Sequence, residues 1–209
     1  LLVFLAAAHD IGKATPVFQA KHAFPPNELD QWISENLSYA GLPMKPYEEF
    51  LGRERTPHAL ATYQLLVRDG CHRNVAVILG AHHGKPPDKI TVMDCTIQAY
   101  ADHYHMEEAG RETWTAAQRE LIAFALDLAG FASLSELPVP SMTAQVLLSG
   151  LVVMADWIAS NERYFPYFRP EDTLAECSDA QRLSIAWDRL DLPPSSWIPA
   201  GYTPDFPFY

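Results

Sequence analysis

Three strongly apolar segments of this chain each end in histidine or aspartate. The junctions are, in chain order, Leu1–Ala8 followed by His9 and Asp10, Val75–Ala81 followed by His82 and His83, and Val146–Ala155 followed by Asp156. Helices that are apolar nearly all round are buried. A buried carboxylate or imidazole is costly unless it is paired or bound to a cation. We therefore expect these segments to be buried helices whose polar ends converge on a metal ion, with His58 joining them.

The helix-capping residues and apolar segments along the rest of the sequence predict an all-α fold. Thr15, Thr56 and Ser141 are interpreted as helix caps, and Thr115 with Gln118 as a capping box. The predicted helices cover residues 1–8, 15–21, 56–67, 74–83, 115–130, 141–161 and 179–190, with short helices and loops between 24 and 57. Periodicity alone leaves open whether Val75–Leu79 is a buried helix or a short buried strand.

The histidines outside these junctions have a simpler interpretation. A single buried histidine is usually a hydrogen-bonded core residue, and a single exposed one is solvated. We interpret four of them in this way, namely His22, His72, His103 and His105. The pair His82 and His83 directly before Gly84 is more specific, and the whole set is more specific than any member. Imidazole and carboxylate ligands together suit Mn, Fe, Co, Ni or Zn.

Charge and composition exclude several classes of protein. The 26 acidic and 15 basic residues give a net charge of -11, which argues against non-specific coating of nucleic acid by a broad basic surface. Cys71, Cys95 and Cys177 are widely spaced, which predicts reduced thiols in a cytoplasmic protein. Apolar stretches fall short of the ~20 residues of a membrane span, so no membrane partner is expected. Phosphate-loop, zincin and nucleophile-elbow motifs are missing from the sequence.

Four segments of the sequence carry a resemblance to a known family. The run HDIGK at 9–13 resembles the signature of the HD superfamily of metal-dependent phosphohydrolases. With HDIGKATPVFQAK at 9–21, PHALATY at 57–63, GAHHG at 80–84 and ADWIASN at 155–161, the chain resembles the HD nuclease domain of the type I CRISPR-associated helicase-nuclease. The resemblance spans residues 1–165, and it leaves 166–209 as a C-terminal extension that packs on this domain or towards a helicase partner.

The resemblance implies an all-α, HD-domain helical bundle with a metal site in its core. The implied metal ligands are His9, Asp10, His58, His82, His83 and Asp156. Asp10 would bridge two metals and Lys13 would contact the phosphate, which makes these two the candidate catalytic residues. One or two divalent ions are implied, Mn, Fe, Co or Ni, with Zn or Mg also compatible. The site would hydrolyse phosphodiester bonds of single-stranded DNA with a metal-activated water.

The resemblance also implies partners. A helicase domain or subunit would unwind DNA and feed it to this domain, in the context of a CRISPR RNA-guided surveillance complex. We reconcile the net charge of -11 with DNA cleavage by expecting a local positive groove around the metals and delivery by the helicase.

The sequence departs from the family pattern at one point. The family usually carries a further ligand histidine upstream of the HD pair, and only eight residues precede His9 here. Because the chain begins without methionine inside an apolar run, we expect a fragment whose natural N-terminus lies upstream. Two alternatives stay open at this stage. One is an HD phosphohydrolase acting on nucleotides or cyclic dinucleotides, and the other is a catalytically weak, metal-binding interaction module.

Overall fold

The described part of the chain is built from helices and turns alone. The structure is a computed structural model that describes residues 1–23, 25, 27–106, 110–166 and 177–191. Within these residues it contains no strand, which confirms the predicted all-α fold. The α-helices are α1 (Leu2–Ala8), α2 (Pro16–Gln19), α3 (Glu28–Tyr39), α4 (His58–Arg68), α5 (Arg73–Gly80), α6 (Lys89–Asp94), α7 (Ala101–His105), α8 (Arg111–Ala129), α9 (Met142–Ala159) and α10 (Asp179–Leu190). Short 3₁₀ turns lie at Ile11–Lys13, Tyr47–Glu49, Arg53–Arg55 and Leu134–Glu136.

The chain divides into two compact units, Leu1–Trp157 and Ile158–Tyr209. The second unit contains α10, which begins at a capping box formed by Ser178 and Gln181 and buries Ala186. The sequence placed the boundary after residue 165, and that boundary stays a prediction. The expected packing of the C-terminal extension falls largely on residues outside the described ones.

Helix α4 lies at the centre of the first unit. All of its residues from Ala59 to Leu66 are buried, and it packs against both α5 and the 3₁₀ turn Ile11–Lys13. Helix α1 packs against α8 and α5. These contacts bring the C-terminal ends of α1 and α5 to the N-terminal end of α4, which is where the sequence places its histidines.

Two threonines predicted as helix caps have other roles. Helix α4 begins at His58 with Pro57 as its cap residue, while the Thr56 hydroxyl is hydrogen-bonded to Nδ1 of His103 at 2.7 Å. Thr15 donates its hydroxyl to the carbonyl of Gly12 at 2.8 Å, and it makes no side-chain cap on α2. The predicted helix starts are therefore right within about two residues. The capping interactions are wrong, because the Thr56 hydroxyl bonds to a distant histidine and the Thr15 hydroxyl bonds to a carbonyl of the preceding turn. Ser141 does accept the N–H of Ala144, as a cap of α9 should.

The predicted capping box of α8 is also wrong. The helix begins at Arg111, about one turn before Thr115. Gln118 is fully buried, and its amide donates to the carbonyls of Ala14 at 2.9 Å and Tyr104 at 2.6 Å. A glutamine that satisfies two carbonyls far away in sequence cannot fold back on a helix N-terminus.

The sequence leaves Val75–Leu79 open between helix and strand, and it predicts short helices and loops for the region 24–57. Val75–Leu79 lies in α5, so the strand alternative is excluded. The region between residues 24 and 57 contains the three-turn helix α3, which is longer than expected. Asn27 and Asp30 form the capping box that starts α3, and the sequence analysis missed it.

Helix α9 contradicts the expectation that it is buried. Most of its apolar side chains are exposed, including Val146 at 67%, Met154 at 58% and Trp157 at 70%. Only Gln145 and Val152 are buried, because one narrow stripe of the helix packs on the protein. By length and composition alone, α9 is also long enough and apolar enough to cross a membrane, contrary to the expectation from the sequence. A single helix of this kind is weak support for a membrane span.

Candidate metal centre

The end of α1 presents the first two site residues. Phe4, Leu5 and Ala8 anchor this helix in the core, and His9 follows as its C-cap residue. The His9 Nδ1 donates to the carbonyl of Ala6 at 2.8 Å, which turns Nε2 towards two carboxylates. That Nε2 lies 3.2 Å from Oδ2 of Asp10 and 3.5 Å from Oδ1 of Asp156. The ring is thus oriented by the backbone, and its second nitrogen is left for the site.

Thr62 on α4 fixes the turn that carries Asp10. Its hydroxyl donates to the carbonyl of His9 at 3.0 Å and accepts the N–H of Gly12 at 2.9 Å. Thr62 is completely buried, so both bonds are shielded from water. The turn at 9–12 is therefore held against the first turns of α4, where His58 lies.

Three imidazoles converge at the junction of α4 and α5. The Nε2 of His58 lies 3.3 Å from Nε2 of His82 and 2.8 Å from Nε2 of His83. His82 is fully buried and donates its Nδ1 to the carbonyl of Leu79 at 2.6 Å, so its Nε2 is the nitrogen that faces the other rings. Ligands at 2.0–2.1 Å from a tetrahedral ion are roughly 3.4 Å apart. The spacing of the three nitrogens matches ligation of one ion.

Asp10 connects the two halves of the site. Its Oδ1 lies 3.3 Å from Nε2 of His58 and 3.6 Å from Nε2 of His82, while its Oδ2 faces His9. The Nζ of Lys13 lies 2.6 Å from the same Oδ2. The carboxylate thus faces both groups of donor atoms, and the ammonium of Lys13 lies directly beside it.

The donor set fits divalent metal ions. Two groups of ligand atoms each lie within 4.8 Å of one another: His58, His82 and His83 in one, and His9, Asp10 and Asp156 in the other. His9 Nε2 and Asp10 Oδ1 are buried and have no hydrogen-bond partner among the described residues. Buried polar atoms are normally satisfied, and two unsatisfied ones in one cluster fit the binding of a cation there. Nitrogen and oxygen donors in this ratio suit first-row transition metals.

The electrostatics of the site keep three of its candidate ligands, Asp10, His58 and His82, in the metal-binding form. Burial lowers the pKa of His58 to about 4, against the attraction of Asp10, and burial likewise lowers the pKa of His82. Burial alone would raise the pKa of Asp10, but His9 and Lys13 nearby hold it well below its ordinary range. The close Asp10 carboxylate raises the pKa of His9. At neutral pH the cluster therefore offers an ionised carboxylate and neutral imidazoles at His58 and His82.

The low pKa of His58 predicts that the metal-free protein loses stability in mild acid. The folded state binds fewer protons here than the unfolded chain, whose histidines titrate near 6.5. Stability is therefore full above pH 6.5 and falls as the pH drops towards 4, by about 1 kcal/mol between pH 6.5 and 5 after allowance for partial solvation. Urea unfolding of EDTA-treated protein across this range measures the slope.

The matched variant for this measurement is His58→Gln, which removes the titrating group. It should show a shallower slope, with the remainder coming from His82 and His103, whose pKa values are also lowered by burial. The raised pKa of His9 acts in the opposite sense, because its contribution is lost as the pH rises through the folded pKa. Identical slopes for the wild type and His58→Gln would contradict the assignment.

All six sequence-predicted ligands meet in one place, and Lys13 lies beside them. Their roles as ligands stay predictions. The histidines interpreted as non-ligands lie elsewhere: His103 bonds to Thr56 and to the carbonyl of Leu51, and His22 bonds to Glu48. The sequence analysis missed Thr62 as the residue that fixes the turn. A threonine one helical turn after His58 carries no sequence signal of this role.

These features define a class of protein. Helix ends that gather four imidazoles and two carboxylates in an all-α fold give this domain a candidate divalent-metal centre of the kind expected of HD proteins.

Comparisons with known proteins give the family. The family model described as "Cas3, HD domain" matches residues 1–165. The CRISPR-associated nuclease/helicase Cas3 of Streptococcus thermophilus is 36% identical over 178 residues, which cover 83% of this chain and 19% of that protein. The chain therefore belongs to the Cas3 HD domain family, and it spans about a fifth of the length of this relative.

Solved structures agree on the fold. The crystal structure of a CRISPR-associated protein matches with a TM-score of 0.65 at 28% identity, covering 90% of this chain and 20% of that one. The Cas3 HD domain of Thermus thermophilus, solved in the presence of Ni²⁺, matches with a TM-score of 0.51 at 24% identity. That match covers 90% of this chain and 64% of the Thermus chain, and it supports the helical HD fold predicted from the sequence.

Proposed function

We propose that this chain is a metal-dependent nuclease that hydrolyses phosphodiester bonds of single-stranded DNA during CRISPR interference. The observation that carries the proposal is the pair of converging donor groups with two orphaned buried atoms, His9 Nε2 and Asp10 Oδ1. The resemblance of the chain to a nuclease/helicase supports the choice of substrate.

The mechanism assigns a role to each residue of the cluster. Divalent ions held by the histidines, Asp10 and Asp156 would supply positive charge and lower the pKa of a bound water towards about 7. The backbone carbonyls of Ala6 and Leu79 orient the rings of His9 and His82, so that no ligand must reorganise. Lys13 lies at the cluster with its ammonium 2.6 Å from Asp10, where it would neutralise charge that develops on the phosphoryl oxygens.

The experiment compares substrates on one protein preparation. The full chain is stripped with EDTA, reloaded with Mn²⁺, Co²⁺, Ni²⁺, Zn²⁺ or Mg²⁺, and incubated with circular single-stranded DNA, duplex DNA, deoxynucleotides and cyclic dinucleotides. We expect metal-dependent cleavage of the circular single strand and little action on the duplex. A circular substrate has no ends, so its cleavage also demonstrates an endonucleolytic step.

Two results would contradict the proposal. Turnover of nucleotides or cyclic dinucleotides without cleavage of DNA would identify a different HD phosphohydrolase. Stoichiometric metal without turnover of any substrate would identify a metal-bearing interaction module. His22→Ala serves as the control histidine variant, since His22 is hydrogen-bonded to Glu48 outside the cluster and should leave metal content and cleavage unchanged.

We further propose that a helicase partner delivers the DNA. The acidic chain, with a net charge of -11, has little long-range attraction for nucleic acid. Exposed apolar side chains on α8 and α9, such as Phe124 at 61% and Leu147 at 66%, form surfaces that a partner would cover. We propose that the helicase part packs on these surfaces. In the Streptococcus relative, the helicase shares one chain with the nuclease. The CRISPR RNA-guided surveillance complex would act through the same partner, in the cytoplasm.

A further inference from the structure

The ring of a phenylalanine next to the metal centre lies close to the ammonium groups of two lysines. Phe18, in α2, packs its ring against that of His58, with the ring centroids 5.3 Å apart and the planes at 71°. The Nζ of Lys21 lies 4.5 Å from the centroid of the Phe18 ring, and the Nζ of Lys13 lies 5.8 Å from it. The aromatic ring thus places two ammonium groups beside one candidate metal ligand.

The two lysines differ in their anionic partners. Lys13 is paired with Asp10, whereas none of the described acidic groups forms an ion pair with Lys21. Burial lowers the pKa of Lys21, and the nearby charge of Lys13 acts in the same direction. A cation–π contact of this kind favours a position of the Lys21 side chain over the ring. The protein therefore holds two like charges close together, an arrangement that binding of an anion would stabilise.

Lys21 also lines an open cavity of about 310 Å³. The two acidic residues of that cavity are engaged elsewhere. Glu48 is hydrogen-bonded to His22, and the carboxylate of Asp30 accepts the N–H groups of Ala23 and Asn27. The ammonium of Lys21 is therefore the group in this cavity that is best placed to attract an anion from solvent.

The distances from Lys21 and His58 to the Phe18 ring limit how far an anion bound by Lys21 would lie from the scissile bond. Lys21 Nζ and the His58 ring lie 4.5 Å and 5.3 Å from the same Phe18 centroid, so they are less than 10 Å apart. An unstacked single strand spaces its phosphates more widely than the axial rise of about 3.4 Å per nucleotide in B-form DNA. Lys21 thus reaches phosphates at most about three nucleotides from a phosphodiester bound at the metals.

We infer that Lys21, supported by Phe18, binds a backbone phosphate of the DNA strand next to the scissile phosphodiester. The inference rests on the proposed function, and it adds a substrate-binding residue outside the metal cluster. Lys21 would then contribute to strand binding and leave the chemistry at the metals unaffected.

The test measures binding separately from cleavage. Fluorescence anisotropy of a labelled oligothymidylate is recorded with the EDTA-treated full chain over a series of KCl concentrations. Lys21→Gln should bind about three- to tenfold more weakly at low salt, and the slope of log K against log salt should fall by about 0.7. Lys21→Arg should restore the slope. With metal added, hydrolysis of bis(p-nitrophenyl) phosphate should be the same in Lys21→Gln and wild type, because this substrate has no neighbouring phosphate.

The control variant is Lys89→Gln, which removes the same charge from an exposed position at the start of α6. It should leave the salt slope unchanged. Cleavage of DNA by the wild type, together with equal slopes for wild type and Lys21→Gln, would overturn the role of Lys21 and leave the proposed nuclease intact. Failure of the metal-loaded wild type to cleave DNA would overturn both.

Discussion

Replacement of Asp10 with alanine should abolish both metal binding and DNA cleavage. The Asp10 carboxylate faces both donor groups, with Oδ1 3.3 Å from His58 Nε2 and Oδ2 3.2 Å from His9 Nε2. Removal of this carboxylate would deprive both groups of donor atoms of the anionic ligand that they share. Metal ions contribute several kcal/mol to such reactions, so at about 1.4 kcal/mol per tenfold the rate should fall at least about 10³-fold. Elemental analysis and initial rates on circular single-stranded DNA measure the two losses.

Two variants separate this effect from damage to the fold. Asp10→Asn keeps the size and polarity of the side chain but removes its charge, and it should lose metal and activity without unfolding. Asp127→Ala removes a carboxylate from an exposed position on α8 and should behave as wild type. Addition of Mn²⁺ should raise the thermal midpoint of wild type and Asp127→Ala only, because a ligand stabilises only the state that binds it. A fully metal-loaded Asp10→Ala variant with activity within about tenfold of wild type would show that Asp10 is not a ligand.

The location of the site could be predicted from the sequence because polar residues interrupt apolar helices at very few places. Residues 1–8 form α1, and residues 73–80 form α5. In both cases the histidines that follow the helix are drawn to the same buried space. The cost of burying an imidazole or a carboxylate without a partner makes such convergence predictable before any coordinates are known.

The arrangement within the site could not be predicted in this way. Sequence spacing does not reveal that His58, His82 and His83 form one group and that His9 and Asp156 form another with Asp10. Thr62 connects the turn at 9–12 to α4 through two hydrogen bonds, but its hydroxyl carries no local signal of that role.

The errors share a physical cause. An apolar pattern shows that a helix face is stabilised when other residues bury it. It does not show whether residues of this chain do so. In α9 most of the apolar side chains are exposed. Thr56 and Gln118 resemble capping residues in sequence, yet each bonds to a group that is distant in the chain. Thr15 instead bonds to the carbonyl of Gly12 in the preceding turn, a local side-chain to backbone bond that competes with capping.

Replacement of Gly12 with alanine should disrupt the metal centre although it replaces none of the candidate ligands. A Cβ at this position would lie 2.0 Å from the carbonyl oxygen of His58 and 2.6 Å from the backbone nitrogen of Thr62. Both are backbone atoms of α4, so the clash can be relieved only by separating the turn at 9–12 from the helix. That movement would break the hydrogen bond from Gly12 to Thr62 and carry Asp10 away from His58. We expect a loss of about 3 kcal/mol in the free energy of unfolding, at the upper end of the usual cost of overpacking.

The matched control for this variant is Gly150→Ala in α9. A Cβ there meets no atom within 4 Å, and the residue lies in a helix, so alanine should stabilise the protein by about 0.5–1 kcal/mol. Urea unfolding and elemental analysis of both variants test the contrast. If Gly12→Ala retained both its stability and its metal, the close approach of the turn to α4 would be dispensable. Asp10 and His58 would then be held together by the ions themselves, and the preorganised centre described above would have to be abandoned.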